Sequence, residues 1–382
     1  RAMCTTYPAD GWVTDSAAAA SAWGIGRKVD NGAINFTPDG KAPEPIGRSA
    51  MKLGKTLGLV STTRITHATP AAFVANVPKR EFEPDIAEQI LARGVSVALG
   101  GGSKYVPDDL LAKHSDVRVV RTADELLSAR TKPGRLLGLF SEDHCPYEIE
   151  RPASVPSLRS MSLAALDVLG AHSDGFVLLI EGGRVDHGAH ANDAVGMIFD
   201  QIEFDNTVGA VVDWIGDRDD TLLIISTDHA NANPGLTFYG QAGRRSFELL
   251  ASASHSFDWI VQQFRSSDRT IESLVETVSR ATGIVLTDEE RLILERSAIR
   301  HEPVDPFDPA NGTLMVLGSL LANHTGVAFL SPNHTPDFVE VTAIGPGAET
   351  MPAMIDNTDL HGLMMNALAG SAQSITPQSI TP

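Results

Sequence analysis

Residues 176–190 read Phe-Val-Leu-Leu-Ile-Glu-Gly-Gly-Arg-Val-Asp-His-Gly-Ala-His, and this stretch indicates both a fold and a site. Its five leading apolar residues suit a strand that is buried on both faces of a parallel sheet. The strand ends at a carboxylate, Glu181, and the two glycines after it allow a tight turn. Because ligands gather at the carboxyl ends of parallel strands, we expect a functional site here.

The rest of the chain repeats this alternation of apolar runs and helical patterns. Further strand-like runs lie at Leu59–Thr62, Val95–Leu99 and Leu222–Ile225. Helical patterns lie between or beside them, at Ser16–Trp23, Pro84–Arg93, Ala123–Ala129, Ser157–Leu169 and Ala194–Trp214. The alternation predicts an α/β fold, with a largely parallel central sheet sandwiched by helices.

One long segment departs from this pattern and predicts an inserted subdomain. We expect residues 1–235 and 324–370 to form a single α/β catalytic core, and residues 236–323 to form an insertion packed on it. The insertion shows helical patterns at Thr270–Ala281 and Thr287–Ser297 and a proline-rich loop at Pro303–Pro309. The core pattern returns with a strand at Phe338–Ile344 and a helix at Asn357–Leu368, and the repetitive tail, 371–382, is expected to be disordered.

Composition narrows the classes of function. A hydrophobic share of 42% and a charged share of 20% are ordinary for a soluble globular protein, and no apolar run reaches the length of a membrane span. The 382 residues carry a net charge of −18, which repels nucleic acid. A bound anion would need local positive charge, which divalent metals could supply. Cys4 and Cys145 could be free thiols or one disulfide.

Two clusters have the composition of metal ligands. Asp186 and His190 are four residues apart, so on a helical turn both side chains face one ion. Asp228 and His229 directly follow the run at 222–226 and make a good zinc pair at a strand end. The alternative for each cluster is a polar surface loop with incidental histidines.

A serine and an arginine are candidates for the chemistry itself. Ser16 precedes four alanines, so it lies at or near the N-cap of a helix, either as a simple cap or as a nucleophile. A Ser-His-Asp hydrolase would need a Gly-x-Ser-x-Gly turn, which is lacking here. Thr69 followed by Pro70 predicts another helix start. Beyond it, Arg80 could hold phosphate oxygens or be a solvated surface charge.

Together, in their order along the chain, these motifs resemble the alkaline phosphatase family over about residues 7–235 and 329–368. The resemblance implies that Ser16 is the phosphorylated nucleophile and that Arg80 clamps the phosphoryl oxygens. It also implies a ligand set of Asp186, His190 and His334 for a first zinc, Asp228 and His229 for a second, and Glu181 and Thr69 for a third ion, magnesium.

Histidines complicate this assignment in two places. His67 and His187 fall at or beside the third site, where imidazoles would weaken the preference for magnesium over zinc or cobalt. His324 and His334 both sit in Asn-His-Thr, and we prefer His334 because a strand and a Gly-Pro-Gly turn follow it. The remaining histidines are read as ordinary surface or core residues: His114, His144, His172, His255, His301 and His361.

The resemblance fails at one point, since the family carries a Gly-Asp-Gly motif on a strand upstream of the nucleophile. Only fifteen residues precede Ser16, so we expect a natural chain that extends further upstream and supplies this metal-bridging Asp. No signal peptide is visible, although the resemblance implies a periplasmic or extracellular homodimer.

The function that the resemblance implies is hydrolysis of small-molecule phosphate monoesters through a phosphoserine. The alternatives are a phosphodiesterase on the same scaffold, or a metal-binding protein that is inactive because it lacks the upstream Asp. A sulfatase would place its modified residue in a different motif.

Overall fold

The computed structural model describes residues 1–304 and 312–370. In these residues the strands are β1 (Ala2–Thr5), β2 (Thr56–Arg64), β3 (Val97–Gly101), β4 (Val117–Val120), β5 (Arg135–Leu139), β6 (Phe176–Glu181), β7 (Leu223–Ile225), β8 (Ala230–Asn231), β9 (Gly235–Leu236), β10 (Val327–Ala328), β11 (His334–Thr335), β12 (Val339–Ile344) and β13 (Met354–Asp356).

The helices lie mostly where the sequence patterns predict them. They are α1 (Ser16–Ile25), α2 (Ile46–Lys52), α3 (Ala68–Ala72), α4 (Glu83–Ala92), α5 (Asp108–Leu111), α6 (Ala123–Ala129), α7 (Leu158–Leu169), α8 (Arg184–His190), α9 (Ala194–Ile215), α10 (Gly240–Glu248), α11 (Phe257–Ser266), α12 (Ile271–Thr282), α13 (Asp288–Ala298), α14 (Thr313–Thr325) and α15 (Asp359–Ala369).

The predicted parallel sheet is confirmed as a five-stranded sheet in the order β4-β5-β3-β2-β6. All of its strand pairs are parallel, and Val60 of β2, for example, lies opposite Leu99 of β3 and Ile180 of β6. Apolar residues of β2 and β3 are fully buried, because helices cover both faces of the sheet. The carboxyl ends of β2 and β6 therefore meet at one edge, where Glu181 lies.

A second sheet, in the order β13-β1-β12-β7, has mixed strand directions. The run at Leu222–Ile225, which the alternation assigned to the parallel sheet, lies here instead, and β7 pairs antiparallel with β12. An apolar run indicates that a strand is buried but not in which direction its partner runs. The sequence therefore could not predict the antiparallel pairing of β7. Strand β1 was not predicted; it lies between β12 and β13 with Cys4 in its buried face.

Strand β6 lies at one edge of the five-stranded sheet, and β7 lies at one edge of the second sheet. Among the described residues β6 pairs only with β2, and β7 only with β12. All residues of both strands are partly exposed, in contrast to the buried apolar residues of β3. The upstream strand itself stays a prediction.

Helices α11 to α14 surround a hydrophobic cluster of their own, which includes Val278, Ala281 and Leu294. The two ends of this helical segment meet, because β9 pairs antiparallel with β10. The boundaries of the insertion stay a prediction. Residues 305–309 of the expected proline-rich loop and the whole expected tail, 371–382, lie outside the described residues.

Two further features settle alternatives left open by the sequence. Cys4 and Cys145 are both buried free thiols, so they form no disulfide with each other. Within residues 1–304 and 312–370, no helix combines the length and the apolar character that crossing a membrane requires.

Candidate active site

Ser16 is the first residue of α1 and not its cap. The cap is Asp15, whose carboxylate accepts a hydrogen bond from the Ala18 backbone N–H at 2.9 Å. An ionised carboxylate is a better cap than a hydroxyl at the positive end of a helix, so the Ser16 side chain is left free for other contacts. Its Oγ lies 3.1 Å from His229 Nε2, although the two residues are 213 positions apart.

Asp228 and His229 follow β7 and form a pair in which His229 is buried and its Nε2 lies 3.1 Å from an Asp228 oxygen. Burial disfavours the charged forms of both, but their mutual attraction outweighs it. The pKa of Asp228 therefore lies well below its ordinary value, and the pKa of His229 lies above its own. The nucleophile candidate thus faces a carboxylate–imidazole pair at a strand end.

The ligands predicted for the first zinc converge beside this pair. Helix α8 carries Asp186 and His190 one turn apart, and His334 reaches them from β11. The Nε2 atoms of His190 and His334 lie 3.5 and 3.7 Å from the two Asp186 oxygens. Ligand atoms of Asp186, His229 and His334 all lie within 4.8 Å of one another, so the grouping combines residues from both predicted zinc sets.

The hydrogen bonds of His190 and His334 test whether a metal fits these residues. His190 Nδ1 donates to the Pro332 carbonyl at 2.5 Å, and His334 Nδ1 donates to the Thr14 carbonyl at 2.7 Å. Each neutral ring then carries its lone pair on Nε2, and the two Nε2 atoms face each other at 2.9 Å. Two lone pairs repel at that distance, whereas a divalent cation bound by both relieves the repulsion. The donor set therefore fits zinc.

Asn231, which the sequence analysis missed, holds the central carboxylate. Its amide donates to Asp186 Oδ1 at 2.6 Å and to the Asp186 carbonyl at 3.1 Å. Asn231 also pairs with His334 in the short β8–β11 ladder. Its position two residues after His229 is the one sequence signal that could have revealed it.

The residues predicted for the third ion lie at the end of β6. Glu181 is half-buried, and its desolvation raises its pKa although hydrogen bonds from Ser61, Thr69 and Thr63 oppose the shift. The register of β2 against β3 is irregular near these hydroxyls. The predicted cap at Thr69 is wrong, because α3 begins one residue earlier and His67 takes the cap position. Thr69 is nonetheless buried beside Glu181.

Arg80 lies within the site rather than on the open surface. Its guanidinium donates to Asp15 at 2.9 Å and to His67 Nε2 at 3.0 Å. Asp15 directly precedes the nucleophile candidate, so Arg80 lies close to Ser16.

A second group of histidines lies beside Arg80, and each member accepts a hydrogen bond from an arginine. Arg80 bonds His67, Arg64 bonds His144 and Arg184 bonds His187. The rings approach one another edge to face, with centroids 4.3 to 5.8 Å apart. Burial, together with the arginines, lowers the pKa of all three and brings that of His144 to about 3.

We call this second group the arginine-facing histidines, and His190, His229 and His334 the carboxylate-facing histidines. The sequence reading of His144 as an ordinary residue missed its place in the cluster. Its position shortly after the sheet strand β5 was the available signal, because Asp186 and Asp228 also follow sheet strands. His324, the rival of His334, lies apart from these groups and pairs with Glu290 at 3.0 Å.

Comparisons with known proteins show the family to which the chain belongs. The family model described as "Alkaline phosphatase" matches residues 1–370. The chain belongs to the alkaline phosphatase family. It is therefore a phosphoric monoester hydrolase with an α/β fold, as the resemblance implied.

Individual relatives extend the likeness over most of the chain. Alkaline phosphatase 3 of Bacillus subtilis is 29% identical over 385 residues, which cover 95% of this chain and 79% of that protein. The Thermus thermophilus alkaline phosphatase structure matches with a TM-score of 0.89 and 31% identity, covering 99% of this chain and 84% of that one. A mutant of the TAB5 alkaline phosphatase, with Mg bound in its M3 site, shares the fold at 21% identity, a TM-score of 0.70 and coverage of 96% and 88%.

Proposed function

We propose that this alkaline phosphatase hydrolyses phosphate monoesters in two steps through a phosphoserine on Ser16. The observation that carries the proposal is the convergence of Ser16 Oγ, the Asp228–His229 pair and the Asp186–His334 group in one place. The polar groups that meet there come from segments of the chain that are far apart in sequence. Such convergence is the geometry of a nucleophile beside a metal cluster.

The metal complement is proposed as two zinc ions and one magnesium. Asp186, His190 and His334 would hold the first zinc, Asp228 and His229 the second, and Glu181 and Thr69 the magnesium. Zinc supplies Lewis-acid stabilisation of charge on oxygen and lowers the pKa of bound water towards ~7. The magnesium bound in the M3 site of the TAB5 mutant supports the choice of the third ion.

The chain's own groups carry the bond changes. Ser16 Oγ bonds to phosphorus as the bond from phosphorus to the substrate oxygen breaks, and the serine proton ends on the departing alcohol. Helix α1 stabilises the developing negative charge, because Ser16 sits at its positive end. Water then attacks phosphorus and releases Ser16 and inorganic phosphate. Two inversions leave the configuration at phosphorus unchanged.

Arg80 favours monoesters over diesters. Its two terminal nitrogens can contact two oxygens of a dianionic phosphoryl group, and Asp15 and His67 hold them near Ser16. A diester has one non-bridging oxygen and one negative charge fewer than a dianionic monoester, so it gains less from these charged contacts.

Trapping the intermediate tests the proposal. The zinc-loaded protein is mixed with an aryl phosphate, quenched in acid and digested for mass spectrometry. We expect phosphate on Ser16 in the wild type, and none in Ser16→Ala, whose metal content should be nearly unchanged. A phosphorylated residue elsewhere, with Ser16 unmodified, would contradict the assignment. Zinc binding without hydrolysis would favour the inactive metal-binding alternative.

A homodimer exported to the periplasm or beyond is proposed on the family resemblance alone. Sedimentation of the purified chain tests the dimer, and fractionation of the source cells tests the compartment.

A further inference from the structure

The start of helix α11, in the helical segment outside the sheets, contacts the metal-site helix α8 and its neighbours at three successive residues. Ser256 donates to the Glu150 carboxylate through its hydroxyl at 2.6 Å and through its backbone N–H at 3.1 Å. The Phe257 backbone N–H donates to Asp193, the cap of α9, at 2.6 Å. Asp258 accepts from Arg184, the first residue of α8, at 2.5 Å.

Arg184 is an unusual residue to find in this place, because its charge is buried. The residue is only 7% exposed, its guanidinium lies 3.8 Å from the centroid of the Tyr147 ring, and its Nε has no hydrogen-bond partner within residues 1–304 and 312–370. Asp258 forms an ion pair with this guanidinium, and an unpaired buried cation is strongly unfavourable. Arg184 therefore keeps its position because Asp258 holds it.

The other end of the Arg184 guanidinium orients a site residue. Its Nη1 donates to His187 Nδ1 at 2.9 Å, one turn along α8. A guanidinium can only donate, so Nδ1 of neutral His187 must accept and its proton must lie on Nε2. Asp258 thus fixes the orientation and tautomer of His187 indirectly, through Arg184. It also anchors the first turn of the helix that carries Asp186 and His190.

We propose that Asp258 is a positioning residue for the metal site, acting through Arg184 on helix α8. The helical segment then contributes to the metal site, because the first turn of α11 determines how firmly α8 is held. Helix α8 in turn positions its metal ligands. The inference rests on the proposed metal site on α8, but it concerns a contact that lies outside that site.

Zinc release tests the proposal with a matched control in the same helix turn. Zinc-loaded wild type, Asp258→Ala and Ser256→Ala are mixed with a chromogenic chelator at a temperature where circular dichroism shows all three folded. Both substitutions remove a contact between α11 and the core, but only Asp258→Ala frees Arg184. We expect Asp258→Ala to release zinc about tenfold faster than the wild type, the lower end of the effect of groups that orient metal ligands. Ser256→Ala should release it at the wild-type rate.

Two further variants keep the test decisive. Asp258→Asn retains the size of the side chain and an acceptor oxygen, so it folds if Asp258→Ala does not, and it should release zinc at an intermediate rate. Asp258→Glu keeps the carboxylate, so it should release zinc as slowly as the wild type does. Equal release from Asp258→Ala and Ser256→Ala would overturn the proposal and reduce the contact to general packing. Failure of the proposed metal site itself would appear differently, as a wild type that retains no zinc.

Discussion

The carboxylate-facing and the arginine-facing histidines lie in one site, yet their surroundings assign them opposite chemistry. In the first group the Nε2 atoms point at Asp186 and Asp228, and two of the rings donate from Nδ1 to backbone carbonyls. In the second group an arginine donates to one ring nitrogen, which forces the proton onto the other. His190 and His334 of the first group therefore offer lone pairs on Nε2, and the second group offers N–H groups.

This difference bears on the expectation that His67 and His187 soften the third metal site. An imidazole whose lone pair is engaged by an arginine is a hydrogen-bond donor to oxygen and not a metal ligand. The groups around the third ion would then be Glu181 and the hydroxyl of Thr69, and oxygen ligands suit magnesium. We therefore expect magnesium to be preferred there despite the nearby imidazoles.

The largest effect should come from removing a carboxylate-facing histidine. His334→Ala should cost about one zinc per chain and most of the activity, because a site left with two protein ligands holds zinc poorly. Elemental analysis and turnover of an aryl phosphate measure both. His324→Ala is the matched control from the same Asn-His-Thr motif, and it should leave both almost intact. The reverse result would mean that the last zinc ligand is His324, ten residues before His334.

Removing the phosphate clamp should have a smaller effect. Arg80→Ala should weaken inhibition by inorganic phosphate, by roughly 1.5–3 kcal/mol for each charged hydrogen bond lost, without abolishing turnover. The inhibition constant and the rate of hydrolysis are the measurements, with Arg80→Lys as the variant that keeps the charge but not the fork. An unchanged phosphate affinity in Arg80→Ala would show that Arg80 lies outside the pocket.

The smallest effect is expected from an arginine-facing histidine that no metal assignment includes. His144→Gln should keep the full zinc content and lower kcat/KM by no more than about tenfold, since its ring acts through hydrogen bonds and packing. Zinc analysis beside steady-state kinetics checks this, and His172→Gln, at a position outside both histidine groups, is the control. If His144→Gln lost one zinc and His172→Gln did not, the two groups of histidines would not differ in metal binding as described.

Much of this arrangement could be predicted from the sequence, because it depends on local pattern. Apolar runs located β2, β3 and β6, and the spacing of Asp186 and His190 placed both on one helical turn. The choice of His334 over His324 used only the chain after each one, and the structure places His334 beside Asp186 and His324 beside Glu290.

The rest depends on contacts between distant parts of the chain, which local pattern does not report. The direction of β7 is set by β12, more than a hundred residues later. The role of His144 depends on Arg64, and that of Arg184 on Asp258 in a different layer of the fold. The cap at Asp15 was missed because a serine and an aspartate beside each other are both good caps, and only the helix geometry distinguishes them.

The distinction between the two histidine groups is tested most directly by locating zinc in crystals of the zinc-loaded protein. Anomalous difference maps collected above and below the zinc absorption edge identify the metal and its ligands. We predict zinc peaks in contact with Nε2 of His190, His229 and His334, and no zinc peak among His67, His144 and His187. A zinc ion bound by any of the arginine-facing histidines would contradict the account.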